Sequence, residues 1–179
     1  MLNNACNDSK DIANKLRQYG FTVIEKEDLN QIDFNRTISD FANKASAYDE
    51  VLIYYAGHAI ENKGVNYLIP INAAVEQVAD LETECVSANN IMDKLEGTER
   101  KTNIIVLDAC RETFRGGPNT RGLARMEEAP NTYFMFSTSS GHAAFDGTGR
   151  NSPYTTAFLQ SLETSASQPL EMFAKQVLL

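Results

Sequence analysis

An α/β sandwich with a central, mostly parallel sheet is the fold class this sequence predicts, and three observations point to it. Two runs, the continuous apolar Val51-Leu52-Ile53-Tyr54-Tyr55-Ala56 and Asn103-Ile104-Ile105-Val106-Leu107, apolar after its first residue, are too short for typical helices and have the pattern of buried strands. Segments of helical spacing alternate with strand-like segments along the chain, as crossover connections in a parallel sheet require. The size also fits: 179 residues, 42% hydrophobic and 22% charged, suit one globular domain over residues 1–179 with a core large enough to need no staples.

The elements follow in order. From Asp8 to Tyr19, Ile12, Ala13, Leu16 and Tyr19 share a helical face, and Gly20 suits the left-handed cap position. Phe21 to Ile24 reads as a short strand. Helical spacing returns over Asp33 to Ala47 through Phe34, Ile38, Phe41 and Ala45. The first buried strand, residues 51–56, is expected to lie centrally. Asn66 to Ile71 reads as a short strand closing at Pro70, Ser87 to Leu95 as a helix capped by Ser87 and stopped at Gly97, and residues 103–107 as the second buried strand.

Gly116, Gly117, Pro118, Gly122 and Pro130 break any period between Arg111 and Asn131, so a long exposed loop is expected there, of a length that suggests function. Thr132 to Ser137 resumes strand character and Ser139 to Ser152 forms another loop. Tyr154 to Leu162 and Leu170 to Leu178 read as helices.

Charge narrows the function classes. Twenty-four acidic against 16 basic residues leave a net charge of -8, which disfavours nucleic acid and favours cationic ligands. The longest mostly apolar stretch, Val51 to Ile60, falls short of the roughly 18 to 20 residues that span a bilayer, so no membrane partner is expected. Cys6, Cys85 and Cys110 have no C-x-x-C spacing and the chain has two histidines, which predicts neither a disulfide framework nor a metal site. A reducing, cytoplasmic compartment is expected, and the first residues do not read as a signal peptide.

Ligands of open α/β sheets bind beyond the carboxyl ends of strands, and two such ends carry reactive groups here: Ala56-Gly57-His58 and Leu107-Asp108-Ala109-Cys110. If the strands are neighbours, His58 can take a proton from a thiol or give one to a leaving amine, and Cys110 can attack a carbonyl. Taken singly, a buried core cysteine explains Cys110 as well as a nucleophile does, and a structural histidine is the favoured reading of His58. Taken together, complementary groups at matching strand ends are not a requirement of packing. Neither His142 nor Cys6 nor Cys85 has this placement.

Tyr54-Tyr55-Ala56-Gly57-His58, Asn66-Tyr67-Leu68-Ile69-Pro70 and Leu107-Asp108-Ala109-Cys110-Arg111 together resemble the caspase-like cysteine peptidases, in particular their metacaspase and paracaspase branch. Residues 3–8 resemble that branch's segment before its first helix, and residues 136–146 its strand and loop beside the substrate pocket. The resemblance implies a caspase-type three-layer α/β/α sandwich, with His58 and Cys110 as a catalytic dyad and backbone amides of Ala59 and Cys110 as the oxyanion hole. Relatives carry a further strand before the first helix and a segment after the last one, so this chain is expected to be a partial domain.

Alternate residues of a strand share a face, so Asp108 is expected on the side of Cys110, where its carboxylate suits an arginine or lysine of the substrate. The resemblance adds Asp8 and Asp146 to the same pocket. A helix cap for Asp8, a solvated strand end for Asp108 and a turn for Asp146 are the structural alternatives. Several carboxylates together would favour arginine through bidentate contacts.

Two positions depart from the family pattern: Ala59 stands where relatives have glycine, and Ala56 where metacaspases often have a serine. Alanine resists the positive φ that glycine tolerates, which bears on how the Ala59 amide is aimed.

The expected function is therefore a cysteine endopeptidase cleaving after Arg or Lys through an acyl-enzyme, with self-cleavage after Arg115, Arg121 or Arg125 as a corollary. The rival is a catalytically silent caspase-like interaction module. A nucleotide-binding domain ranks below both, because no phosphate-binding glycine loop follows a strand. No cofactor is expected to be required. Some relatives need calcium, but no EF-hand loop is present, and a dimer or activating partner stays open.

Overall fold

The computed structural model describes residues 4–95, 102–111, 123–124, 126, 129–137, 148–165 and 168–177, with the backbone alone at Cys110 and Arg111. These residues form two compact units: Met1–Glu27 with Phe145–Leu179, and Asp28–Ala144.

In the first unit, helix α1 (Ala5–Gln18) buries Ile12, Ala13 and Leu16, three of the residues its period selects. Gly20 ends it as expected. With φ at +85°, Gly20 donates its N–H to the carbonyl of Arg17, and Phe21 donates to Leu16, which together make a Schellman turn. The expected strand over Phe21–Ile24 does not form. Phe21 and Ile24 are exposed, and β propensity makes a strand only where a neighbour accepts the backbone hydrogen bonds. Helix α5 (Pro153–Ser165) packs on helix α6 (Leu170–Val177), with the ring of Phe158 edge-on to Phe173 at 5.1 Å.

The second unit carries the sheet. Helix α2 (Gln31–Ala45) is capped by Asn30, whose Oδ1 accepts the N–H of Asp33 at 2.9 Å. Strand β1 (Glu50–Asn62) follows, and it is twice the expected length because it runs on through Gly57 and His58. Lys63 and Gly64, both at positive φ, turn the chain in a two-residue hairpin into β2 (Val65–Leu68), and Glu61 accepts the N–H of Gly64.

Helix α3 (Asp80–Glu84) and strand β3 (Val86–Ser87) are short additions that apolar periodicity does not signal. Helix α4 (Ala88–Leu95) starts where expected, with Ser87 Oγ accepting the N–H of Asn89. Strands β4 (Thr102–Arg111) and β5 (Thr132–Phe136) complete the sheet.

Among the described residues the strand order is β3-β2-β1-β4-β5. The pairs β1–β4 and β4–β5 are parallel, and β1–β2 and β2–β3 antiparallel, so the sheet is mixed with a parallel centre. One core takes Val51, Ile53, Tyr55 and Ala59 from β1 and Ile105, Leu107 and Ala109 from β4, packed with Ile38, Ala45, Ile91 and Leu95. Of the expected exposed loop over 111–131, Arg111 instead closes β4, and Leu123 and Met126 are buried in this same core. Their apolar side chains have a face of the sheet to cover, which the glycines and prolines around them conceal from a reading by period.

Candidate active site

The two ladders of strand β1 overlap at Ala59. Up to Ala59 the strand pairs in parallel with β4, and from Ala59 to Asn62 it pairs antiparallel with β2. His58 therefore stands at the carboxyl end of the parallel ladder although the strand itself continues. In that ladder His58 is opposite Cys110, Ala56 opposite Asp108, and Tyr54 opposite Val106. Neighbouring strands run about 4.8 Å apart, so the backbones of positions 58 and 110 are close neighbours.

The face is also defined. Because the odd-numbered residues of both strands fill the core, Tyr54, Ala56 and His58 on β1 and positions 108 and 110 on β4 share the opposite face. Asp108 is roughly 6.7 Å along the strand from position 110. Its side chain is buried, only 7% exposed, and its Oδ2 accepts a hydrogen bond from Tyr54 Oη at 3.2 Å. The solvated strand end offered as the alternative for Asp108 does not describe it.

His58 is held from its backbone. Its carbonyl accepts the N–H of Ile69 at 3.0 Å and the hydroxyl of Tyr55 at 2.7 Å. The imidazole Nδ1 is buried. Ala59 is fully buried and lies inside β1, opposite both Leu68 and Arg111, and it is not among the residues at positive φ. The strained backbone that would make alanine unsuitable there is not present.

Asp8, in the first turn of α1, is 2% exposed and accepts the N–H of Ser152 at Oδ1, 2.9 Å away. Ser152 immediately precedes α5, and its own Oγ accepts the N–H of Thr155. Asp8 thus serves a helix start, but that of α5, where a carboxylate also meets the positive end of the helix dipole. Asp146, Arg115, Arg121 and Arg125 lie outside the described residues, as does the side chain of Cys110.

The other cysteines differ in environment. Cys85 is buried, and burial, with the Glu84 carboxylate adding to it, pushes its thiol up to about 11, which makes it a poor nucleophile at neutral pH. Cys6 is half-buried on α1. Among the described residues no group of three or more His, Cys, Asp or Glu could hold a metal ion. None of the described helices is long and apolar enough to cross a membrane. A cleft of about 350 Å³ between α2, β2, β3 and α4, lined by Gln31, Asn35, Tyr67, Cys85 and Asn90 among others, contains none of the candidate site residues.

Sequence reading missed three contributors to the site. Tyr54 and Tyr55 look like ordinary strand aromatics, and their hydroxyl partners lie on the neighbouring strand or several residues away. Asn66 is fully buried and clasps the segment after β4: its Nδ2 donates to the carbonyl of Ala124 at 2.9 Å, and its Oδ1 accepts that residue's N–H at 2.7 Å. An asparagine among apolar neighbours in Val65-Asn66-Tyr67-Leu68 was the one available signal.

Comparison with known proteins agrees with this architecture. The family model described as the caspase domain matches residues 1–177. The human mucosa-associated lymphoid tissue lymphoma translocation protein 1 is 27% identical over 139 residues, which cover 78% of this chain and 16% of that protein. Its mouse homolog matches to the same extent. The chain thus corresponds to about a sixth of the length of these relatives.

Proposed function

Because this chain belongs to the caspase-domain family, we propose that it is a cysteine endopeptidase that cleaves after arginine or lysine. The observation that carries the reading is the ladder position of His58 opposite Cys110, with the buried Asp108 carboxylate two residues behind on the same face. A core histidine and a core cysteine have no reason to be in register at the end of a parallel ladder.

In this reading His58 receives the thiol proton and the Cys110 thiolate attacks the substrate carbonyl carbon, forming a C–S bond and an oxyanion. The amides of Ala59 and Cys110 face that oxyanion. Collapse of the intermediate breaks the C–N bond, and the imidazolium returns its proton to the departing amine. Water, deprotonated by His58, then hydrolyses the thioester and restores the thiol. Asp108 pairs with the cationic side chain before the scissile bond. Arg115, Arg121 and Arg125 are the proposed sites of self-cleavage. No cofactor takes part in these steps.

Fluorogenic peptides ending in Arg, Lys or Asp, offered to the wild type and to Cys110→Ala with and without calcium, test this reading. Turnover of the Arg and Lys peptides by the wild type alone is expected. Turnover of none would favour an interaction module, and preference for Asp would overturn the pocket. Intact masses after prolonged incubation test self-cleavage: only the wild type is expected to yield fragments ending in one of the three arginines.

A further inference from the structure

We propose that Tyr55 is a positioning residue for His58: its hydroxyl, reaching across Gly57, pins the His58 backbone one residue before Ala59, where the ladders to β4 and β2 overlap. This rests on the reading of His58 as the proton-transfer group of the peptidase.

Tyr55 and His58 lie on opposite faces of β1, so ordinary side-chain contact does not join them. The link is made through the backbone. The Tyr55 ring lies along its own face toward residue 57, and its hydroxyl donates to the carbonyl of His58 at 2.7 Å and approaches the carbonyl of Ile69 at 3.4 Å. The second carbonyl belongs to the segment that leaves β2, so one hydroxyl spans the junction of the two strands.

Glycine at 57 is what leaves room for this. A Cβ built there would fall against the Tyr55 hydroxyl and within 2.6 Å of its ring carbon Cζ, closer than packed atoms approach. Any side chain at 57 on this backbone expels the ring. The glycine is thus needed for close approach and not for a left-handed φ, since Gly57 is not among the glycines at positive φ.

The ring is also fixed from outside. Phe34 on α2 stacks on it with centroids 5.9 Å apart and planes 20° from parallel. Burial holds the phenol far above its usual titration range, so the hydroxyl remains a donor at every pH at which a peptidase works.

The His58 carbonyl therefore takes two hydrogen bonds, from the Ile69 N–H and the Tyr55 hydroxyl. Catalytic groups need placement within about 0.5 Å, and the parallel ladder that sets His58 beside position 110 ends one residue later, at Ala59. Tyr55 adds a restraint there from the core face, opposite to the face that carries the imidazole.

The test combines kinetics with the titration of the His58 imidazole, read by NMR in a His142→Gln background in which His58 is the single histidine. Tyr55→Phe keeps the stack and removes the hydroxyl. It is expected to lower kcat on an Arg peptide about tenfold with little change in KM, and to move the His58 titration midpoint. Gly57→Ala is expected to do the same, and Gly57→Ala with Tyr55→Phe to be no worse than Gly57→Ala alone, because the ring is already displaced.

Wild-type kcat and an unmoved His58 titration in folded Tyr55→Phe, beside an inactive His58→Ala, would overturn the positioning role while leaving the peptidase reading intact. Full activity of His58→Ala would instead overturn the peptidase reading, and the NMR titration would still decide the Tyr55 contact. Should Tyr55→Phe fail to fold, Phe34→Leu loosens the ring without removing the hydroxyl and is expected to give a smaller change of the same sign; no change would again overturn the role.

Discussion

Tyr54 donates its hydroxyl to the carboxylate of Asp108 across two neighbouring parallel strands, at 3.2 Å and on the face that carries His58. A neutral donor orients this buried carboxylate without cancelling its charge, which is what a pocket for a cationic side chain requires.

Tyr54→Phe is accordingly expected to lower kcat/KM on Arg peptides several-fold, mostly through KM, by loosening a carboxylate that still carries its charge. Asp108→Asn removes the charge and is expected to cost on the order of a hundredfold or more in kcat/KM, consistent with loss of a desolvated charge pair of about 3 kcal/mol. Steady-state kinetics of both variants on Arg and Lys peptides measures the difference. Equal values for Asp108→Asn and wild type would remove Asp108 from the pocket.

Residue 59, where the resemblance to caspase-like peptidases leads one to expect glycine, is a buried alanine in unstrained strand backbone. Ala59→Gly is expected to destabilise the chain by about 1 kcal/mol, through lost methyl burial and greater freedom of the unfolded chain. It is expected to leave kcat unchanged. Denaturant unfolding and peptide turnover check the two halves, and a marked rise in kcat would mean that the alanine misaims the amide.

The clasp of Asn66 on Ala124 gives a prediction about stability. Asn66→Ala leaves the Ala124 N–H and carbonyl beside a buried gap and is expected to cost about 2 kcal/mol. For a chain of this size that lowers the thermal midpoint by roughly 4–8 °C. Calorimetry within a degree of wild type would show that the clasp contributes little.

Asp11 accepts two hydrogen bonds from Arg150 and one from Asn151, and the Arg150 guanidinium in first place holds its carboxyl below the usual carboxylate range. A carboxyl depressed in the folded state contributes stability that is present above its unfolded value and is lost as pH falls through the folded one. Asp11→Asn is therefore expected to lower the thermal midpoint slightly at pH 7, with the gap to wild type closing below about pH 4. A gap that persists undiminished at pH 2 would point to packing instead of charge.

Cys85, with its thiol pushed up to about 11, is expected to react with iodoacetamide at pH 7.5 roughly a hundredfold more slowly than an ordinary exposed thiol. Unfolding in guanidinium is expected to abolish that protection. Peptide mapping of the labelled protein reads both, and rapid labelling of Cys85 in the folded chain would contradict its buried environment.

The alternation of helix and strand, the capping glycine at residue 20, the two strand-forming runs and the placement of a histidine and a cysteine toward the ends of those two strands were all legible in the linear order of residues. Each depends on local period, local backbone freedom or the chemistry of a single side chain. The expected strand at Phe21–Ile24 failed and the short strand β3 went unseen for one reason: a strand exists only where another strand meets it, and nothing local reports that meeting.

The same reason separates what was decided at each level. Residue types and their spacing determined which groups are available for chemistry, His58, Cys110 and Asp108, because reactivity is written in the side chain. The tertiary structure decided their register, the reach of the Tyr54 hydroxyl to Asp108, the room at Gly57 for the Tyr55 ring, and the burial of Leu123 and Met126 within an apparently open loop. Those relationships join residues far apart in sequence or on opposite faces of one strand, and they come into being only when the sheet closes its hydrogen bonds and buries one face.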